Sequence, residues 1–141
     1  MRVSVPVDGT PPSHRAVLHA ITVVKDRPDP HVILLNVQTR ASLGLSDIGA
    51  EPPQEEEYKA LHVSGQLFEK DVGACHAAHV CCETVAEVGP VSDTIVRVAR
   101  EMHADHIVMG TRGLNALGGL LLGSVTTRAV HLAHVPVTLI K

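Results

Sequence analysis

The residues best placed to do chemistry are a set of spaced glycines and one acidic side chain. Gly110 and Gly113 are followed, after a nine-residue spacer, by Gly123-Ser124. They sit in a segment that reads as a strand, a long loop and the start of a helix. Glycine lets the backbone approach a ligand with no Cβ in the way. The first N–H groups of a helix have no internal acceptor, and the helix dipole places partial positive charge beside them. The combination is an anion site suited to phosphate oxygens, with the Ser124 hydroxyl as an added donor. Asp8, at the tip of the first strand, can accept hydrogen bonds from a ribose hydroxyl. The chain has one Phe, one Tyr and no Trp, so a base would be held by aliphatic contacts, with Val37 at the end of the second strand as the natural candidate. The plainer alternative is a long glycine turn with Asp8 capping the first helix.

Neighbouring motifs narrow the chemistry. Gly118-x4-Gly123 resembles half of a phosphate-binding P-loop, but Ser124 stands where a lysine is required and the segment does not follow the first strand. A Walker-type ATPase is rejected. No Gly-x-Gly-x-x-Gly follows the first strand, so a dinucleotide site is not supported. The pairs His76/His79, His103/His106 and His131/His134 lack a four-ligand spacing, and Cys81-Cys82 on a strand point to opposite faces. No metal site is assigned; the histidines read as structural or solvent-facing. Cys75, Cys81 and Cys82 form no disulfide framework and read as small buried hydrophobes in a reducing compartment. Ser13 beside His14 belongs to a first helical turn, and Glu51 with Glu55–Glu57 to a solvated face. No catalytic residue is assigned.

The elements that must position the glycine loop alternate strictly. Strands are expected at 2–7, 31–37, 80–88, 105–110 and 136–140. Helices begin at Pro11-Pro12, near Glu55, at Gly89-Pro90 and at Ser124. The second helix carries Leu61, Phe68, Val72 and Cys75 as its apolar stripe, and Gly65 and Gly73 weaken it. The stretch 38–54 is the longest irregular one and reads as a mobile loop. Alternating β and α elements imply right-handed crossovers and a parallel sheet covered by helices on both faces. Ligands of such sheets bind beyond the carboxyl ends of the strands, so Asp8 and Gly110 would share one crevice if the first and fourth strands are neighbours.

Length and composition bound the rest. A chain of 141 residues, 45% hydrophobic, is expected to form one α/β domain over 1–141. A net charge of −3 and the scarcity of aromatics argue against a nucleic-acid partner. No apolar run approaches a membrane span, and the expectation is a cytoplasmic protein.

Across almost its full length the chain resembles the universal stress protein family. Val3-Ser-Val-Pro-Val-Asp8-Gly-Thr10 is similar to that family's first strand and turn, and Ala104-Asp-His-Ile-Val-Met-Gly110 to its fourth strand. Leu121-Leu-Gly-Ser-Val-Thr126 and His134-Val-Pro-Val137 are similar to its ending. Gly110-x2-Gly113-x9-Gly123-Ser124 matches the pattern of the family's ATP-binding branch. The spacer 114–122 departs from many members in having no Lys or Arg.

The resemblance implies a nucleotide-binding regulatory protein of the stress response with ATP or AMP as ligand and Mg²⁺ as an allowed companion. Adenine would lie near Val37 and the Met109 backbone, ribose at Asp8, and phosphates at Gly110, Gly113, Gly123, Ser124, Val125 and Thr126. Pro6 and Val7 would line the floor, and Arg112 would reach the phosphates. A homodimer through 136–140 and a regulated protein partner are implied as well. The expected fold is a single doubly wound, Rossmann-like domain with five parallel strands in the order 3-2-1-4-5. Slow ATP hydrolysis or autophosphorylation, and a nucleotide-free dimeric scaffold, are the rival functions.

Overall fold

The computed structural model describes residues 1–44, 53–111 and 123–141, without the side chains of 53–57. Its strands are β1 (Arg2–Pro6), β2 (His31–Gln38), β3 (Cys81–Val88), β4 (His106–Gly110) and β5 (Val137–Ile140). The helices are α1 (Pro11–Val24), α2 (Pro53–Ala77), α3 (Val91–Glu101) and α4 (Ser124–Leu132), with a 3₁₀ turn at Ala41–Leu43. The five strands form one sheet, parallel as the alternation of elements implies, in the order β3-β2-β1-β4-β5 expected from the family resemblance.

Side chains of β2 alternate between two cores because successive residues of a strand point to opposite faces. Val32 and Leu34 join α1 and α2 side chains such as Val17, Val24 and Phe68 on one face. Ile33 and Leu35 join Ile95, Val98 and Ala129 of α3 and α4 on the other. Burial on both faces explains why His31–Gln38 reads as a continuous apolar run. Among the described residues, no helix is long and apolar enough to cross a membrane.

Three local expectations are corrected. First, α2 runs unbroken through Gly65 and Gly73, both in open space on its outer side. Its inward stripe is Ala60, Ser64, Phe68, Asp71 and Cys75, whereas Leu61 is 55% exposed. The stripe contains polar residues because Ser64 and Asp71 find partners, the buried Asn36 and the half-buried His14. Second, part of the 38–54 stretch is ordered as the end of β2 and the 3₁₀ turn, and α2 begins at Pro53. The remainder, 45–52 with Glu51, lies outside the described residues. Third, Cys81 is exposed, because β3 is an edge strand; Cys75 is buried and Cys82 half-buried.

The histidine pairs mostly finish helices. His79 and His103 have φ of 56° and 55°. The chain folds back through them, with Val80 N–H donating to the Cys75 carbonyl at 3.0 Å and Ala104 N–H to that of Ala99 at 2.8 Å. This is the left-handed helix stop in which an N–H reaches back to the last free carbonyls. His76 and His131 occupy last helical turns, where the dipole favours a cation. No group of three or more His, Cys, Asp or Glu converges as metal ligands among the described residues.

Candidate functional site

At the carboxyl ends of the strands a cleft opens between β1 and β4, the point where the chain's progress across the sheet reverses. Of the twelve residues expected to contact a ligand, the described ten all line it: Pro6, Val7, Asp8, Val37, Met109, Gly110, Gly123, Ser124, Val125 and Thr126. Arg112, Gly113 and the spacer 114–122 lie outside the described residues.

The floor is set by strand ends. Val7, one residue past β1, donates its N–H to the Leu35 carbonyl at 2.7 Å and so stays attached to β2. The chain then turns sharply at Gly9, whose φ of +80° favours glycine. Asp8 stands exposed at that turn, its Oδ1 accepting from the Thr10 N–H at 3.0 Å and the Thr10 hydroxyl at 2.5 Å. The plainer reading of Asp8 as a turn-holding residue is thus partly realised, although the helix N-cap itself is Thr10. Among the described lining residues Asp8 is the only charged one.

The far wall is the first turn of α4. Gly123 is its N-cap, with Ser124, Val125 and Thr126 as the opening residues, whose N–H groups precede the first intrahelical bond, from Thr127 N–H to the Gly123 carbonyl at 3.0 Å. These are the unpartnered donors of a helix start, and here they border an open cleft. The hydroxyl of Ser92 on α3 donates to the Val125 carbonyl at 3.3 Å and holds that turn in place.

Gly110 is needed for packing as well as for any approach of a ligand, and Gly123 is not needed for its dihedral angles. A Cβ on Gly110 would come within 2.7 Å of the Pro12 carbonyl carbon, 2.8 Å of its oxygen and 2.9 Å of the Ser13 nitrogen. Gly110 therefore lets the first turn of α1 cross β4. Gly123 has φ −59°, which any residue adopts.

Several lining residues escaped the sequence reading: Thr10, Pro12, Ser13, Leu35, Val91, Ile95 and Thr111. Val91 and Ile95 sit on the apolar side of α3, where periodicity does not separate a cleft wall from a core wall. Thr111 continues β4 by donating its N–H to the Ile140 carbonyl at 2.7 Å.

The model of the universal stress protein family matches residues 1–141. The chain belongs to the universal stress protein family. Universal stress protein MJ0531 of Methanocaldococcus jannaschii is 31% identical, the match covering 99% of this chain and 81% of that protein. Among solved structures, hypothetical protein MJ0577 aligns with a TM-score of 0.80 at 24% identity, over 99% of this chain and 94% of the other. A universal stress protein family member from Arabidopsis thaliana, solved with AMP bound, aligns with a TM-score of 0.68 at 25% identity, over 100% of this chain and 91% of that one. The fold of this chain is thus the α/β fold of the universal stress proteins, down to its strand order.

Proposed function

We propose that this chain is an adenine-nucleotide-binding regulatory protein of the stress response, holding ATP or AMP in the cleft at the carboxyl ends of β1 and β4. The observation that carries the reading is the convergence on one cleft of the aliphatic floor, the Asp8 carboxylate and the α4 N-terminus. Each matches one part of a nucleotide. Val37 and the Met109 backbone hold the base, Asp8 the ribose, and Gly110, Gly113, Gly123, Ser124, Val125 and Thr126 the phosphates, with Arg112 reaching them. AMP in the Arabidopsis relative supports the same ligand class here.

Hydrolysis is the weaker reading, since Asp8 is occupied by the turn and the ribose and serves poorly as a general base. Nucleotide binding instead switches the affinity for a regulated partner, and Mg²⁺ enters only with the phosphates. The same reading includes a homodimer through residues 136–140 in the cytoplasm. It is supported by β5 being an outer strand whose residues 137–140 carry no charge. Sedimentation velocity at micromolar chain tests that part.

A ligand that binds only the folded state stabilises it by RT ln(1 + c/Kd) at free ligand concentration c, so ATP or AMP at about 100 times Kd raises stability by ~2.7 kcal/mol. A thermal-shift titration reads this directly, and Gly113→Val abolishes it. No shift with either nucleotide overturns the proposal, and phosphate release at a rate lost in Asp8→Ala would replace it with the enzyme reading.

A further inference from the structure

Behind the cleft, on the opposite side of β2, lies a buried amide that the cleft itself never exposes. Leu35 and Val37 of β2 line the cleft, so Asn36 and Gln38 point the other way, toward α2. Asn36 is 2% exposed. A buried amide is costly unless its donors and acceptor are met. Asn36 Nδ2 donates to the Val7 carbonyl at 2.6 Å, while its Oδ1 accepts from Gln38 Nε2 at 2.6 Å and from the Ser64 hydroxyl at 2.7 Å. The orientation of the amide follows from chemistry, because a carbonyl oxygen such as that of Val7 can only accept.

The Val7 carbonyl and the Asp8 N–H belong to one rigid peptide plane. Asn36 engages the carbonyl from the α2 side, and the Ser13 hydroxyl accepts from the Asp8 N–H at 3.4 Å on the side of α1. The plane is held from both ends. Val7 lies beyond Pro6, the last residue of β1, so this hold extends the strand's order to the cleft rim. Rotation of the plane would swing the Asp8 carboxylate, which is attached at the next Cα. The chain of bonds continues through Gln38 Oε1, which accepts from the Ser42 hydroxyl of the 3₁₀ turn at 2.8 Å.

We propose that Asn36 is a positioning residue for the cleft: through its hydrogen bond to the Val7 carbonyl it sets the Val7–Asp8 peptide plane and aims Asp8 at the ribose. The assignment rests on the nucleotide reading above. A purely structural role, joining β2 to α2, would involve Ser64 equally. The two partners of Asn36 separate these roles, since Ser64→Ala removes the α2 bond and leaves the Val7 bond intact.

The experiment measures AMP and 2′,3′-dideoxy-AMP binding by calorimetry for the wild-type chain, Asn36→Ala, Ser64→Ala, Asp8→Ala and the Asn36→Ala/Asp8→Ala double variant. Loss of one well-made buried hydrogen bond corresponds to roughly tenfold in affinity. Asn36→Ala weakens AMP binding by that factor and loses the preference for AMP over the dideoxy nucleotide. Ser64→Ala keeps both, and Asn36→Ala adds nothing in the Asp8→Ala background, as expected for groups acting as a unit. Additive losses, or an unchanged preference in Asn36→Ala, overturn the proposal. Asn36→Ser repeats the test should the alanine variant not fold.

Amide hydrogen exchange of the ligand-free chain supplies the arm that separates the two claims. Asp8 and Thr10 exchange faster in Asn36→Ala than in Ser64→Ala if the plane is held as described; equal rates overturn it even when AMP binds. A wild-type chain that binds no AMP, with the exchange difference present, refutes the nucleotide reading and not the clamp.

Discussion

Where the strands begin, α2 and α3 turn back into β3 and β4 through left-handed stops at His79 and His103, and Arg2 donates its backbone N–H to Asp105 Oδ2 at 2.8 Å and its Nε to the Met102 carbonyl at 2.9 Å. Where the strands end, β1 and β4 diverge toward α1 and α4, and the donors of the first turn of α4 border open space. One end spends its polar groups on itself, and the other leaves some facing an open cleft. Under the proposed function the difference separates stability from binding along the strand direction, and substitutions at the two ends should therefore fail in different ways.

The largest effect falls toward the beginning of β4. Ile107 is 1% exposed in the core shared by α3 and α4. Ile107→Ala costs about 2–5 kcal/mol in urea unfolding, as large-to-small core changes do. Once the chain is folded, nucleotide affinity is unchanged, and a matching loss of affinity would blur the separation.

Next comes the exception at the cleft end. Gly110→Ala drives a Cβ into the backbone of Pro12 and Ser13, which is not a flexible side chain that can yield. Overpacking of this kind costs about 1–3 kcal/mol. A stability like that of the wild type, with weakened binding alone, would leave Gly110 with the role of ligand contact and none in packing.

The smallest effect is a pH response at the strand beginnings. Burial, and after it the charge of His19, holds the His106 pKa below its ordinary value of 6.5. Well above that value both states are neutral and the group contributes nothing. As pH falls from about 7 to about 5 the unfolded chain takes up the proton first, so stability declines through that range. His106→Asn makes the decline shallower in urea unfolding at stepped pH, whereas a steeper one contradicts the sign.

Much of this was legible in the chain itself. The alternation of apolar runs and helical stripes is set by burial on two faces, so the strands and their parallel pairing followed from it, while their order came from the family resemblance. The glycines, Ser124, Asp8 and Val37 followed too, because their spacing points to strand ends, whereas Pro6, Val7, Met109, Val125 and Thr126 came from the resemblance. What escaped depended on contacts between distant segments. Leu61 was taken for a core residue and Ser64 and Asp71 were not, since their partners Asn36 and His14 lie on other elements. The purpose of Gly110 depends on where α1 crosses β4, and that of Asn36 on a carbonyl in another strand. Cys81 looked buried because nothing local marks β3 as an edge.

The central claim is that an adenine nucleotide occupies the carboxyl end of the sheet and no other place. Amide chemical-shift mapping of the full chain during titration with ATP tests it most directly. The account predicts shifts at 6–8, 37, 109–111 and 123–126, with His31, His79, His103 and His134 at the other end unmoved. Shifts confined to that histidine end, or no saturable shifts at all, would contradict it.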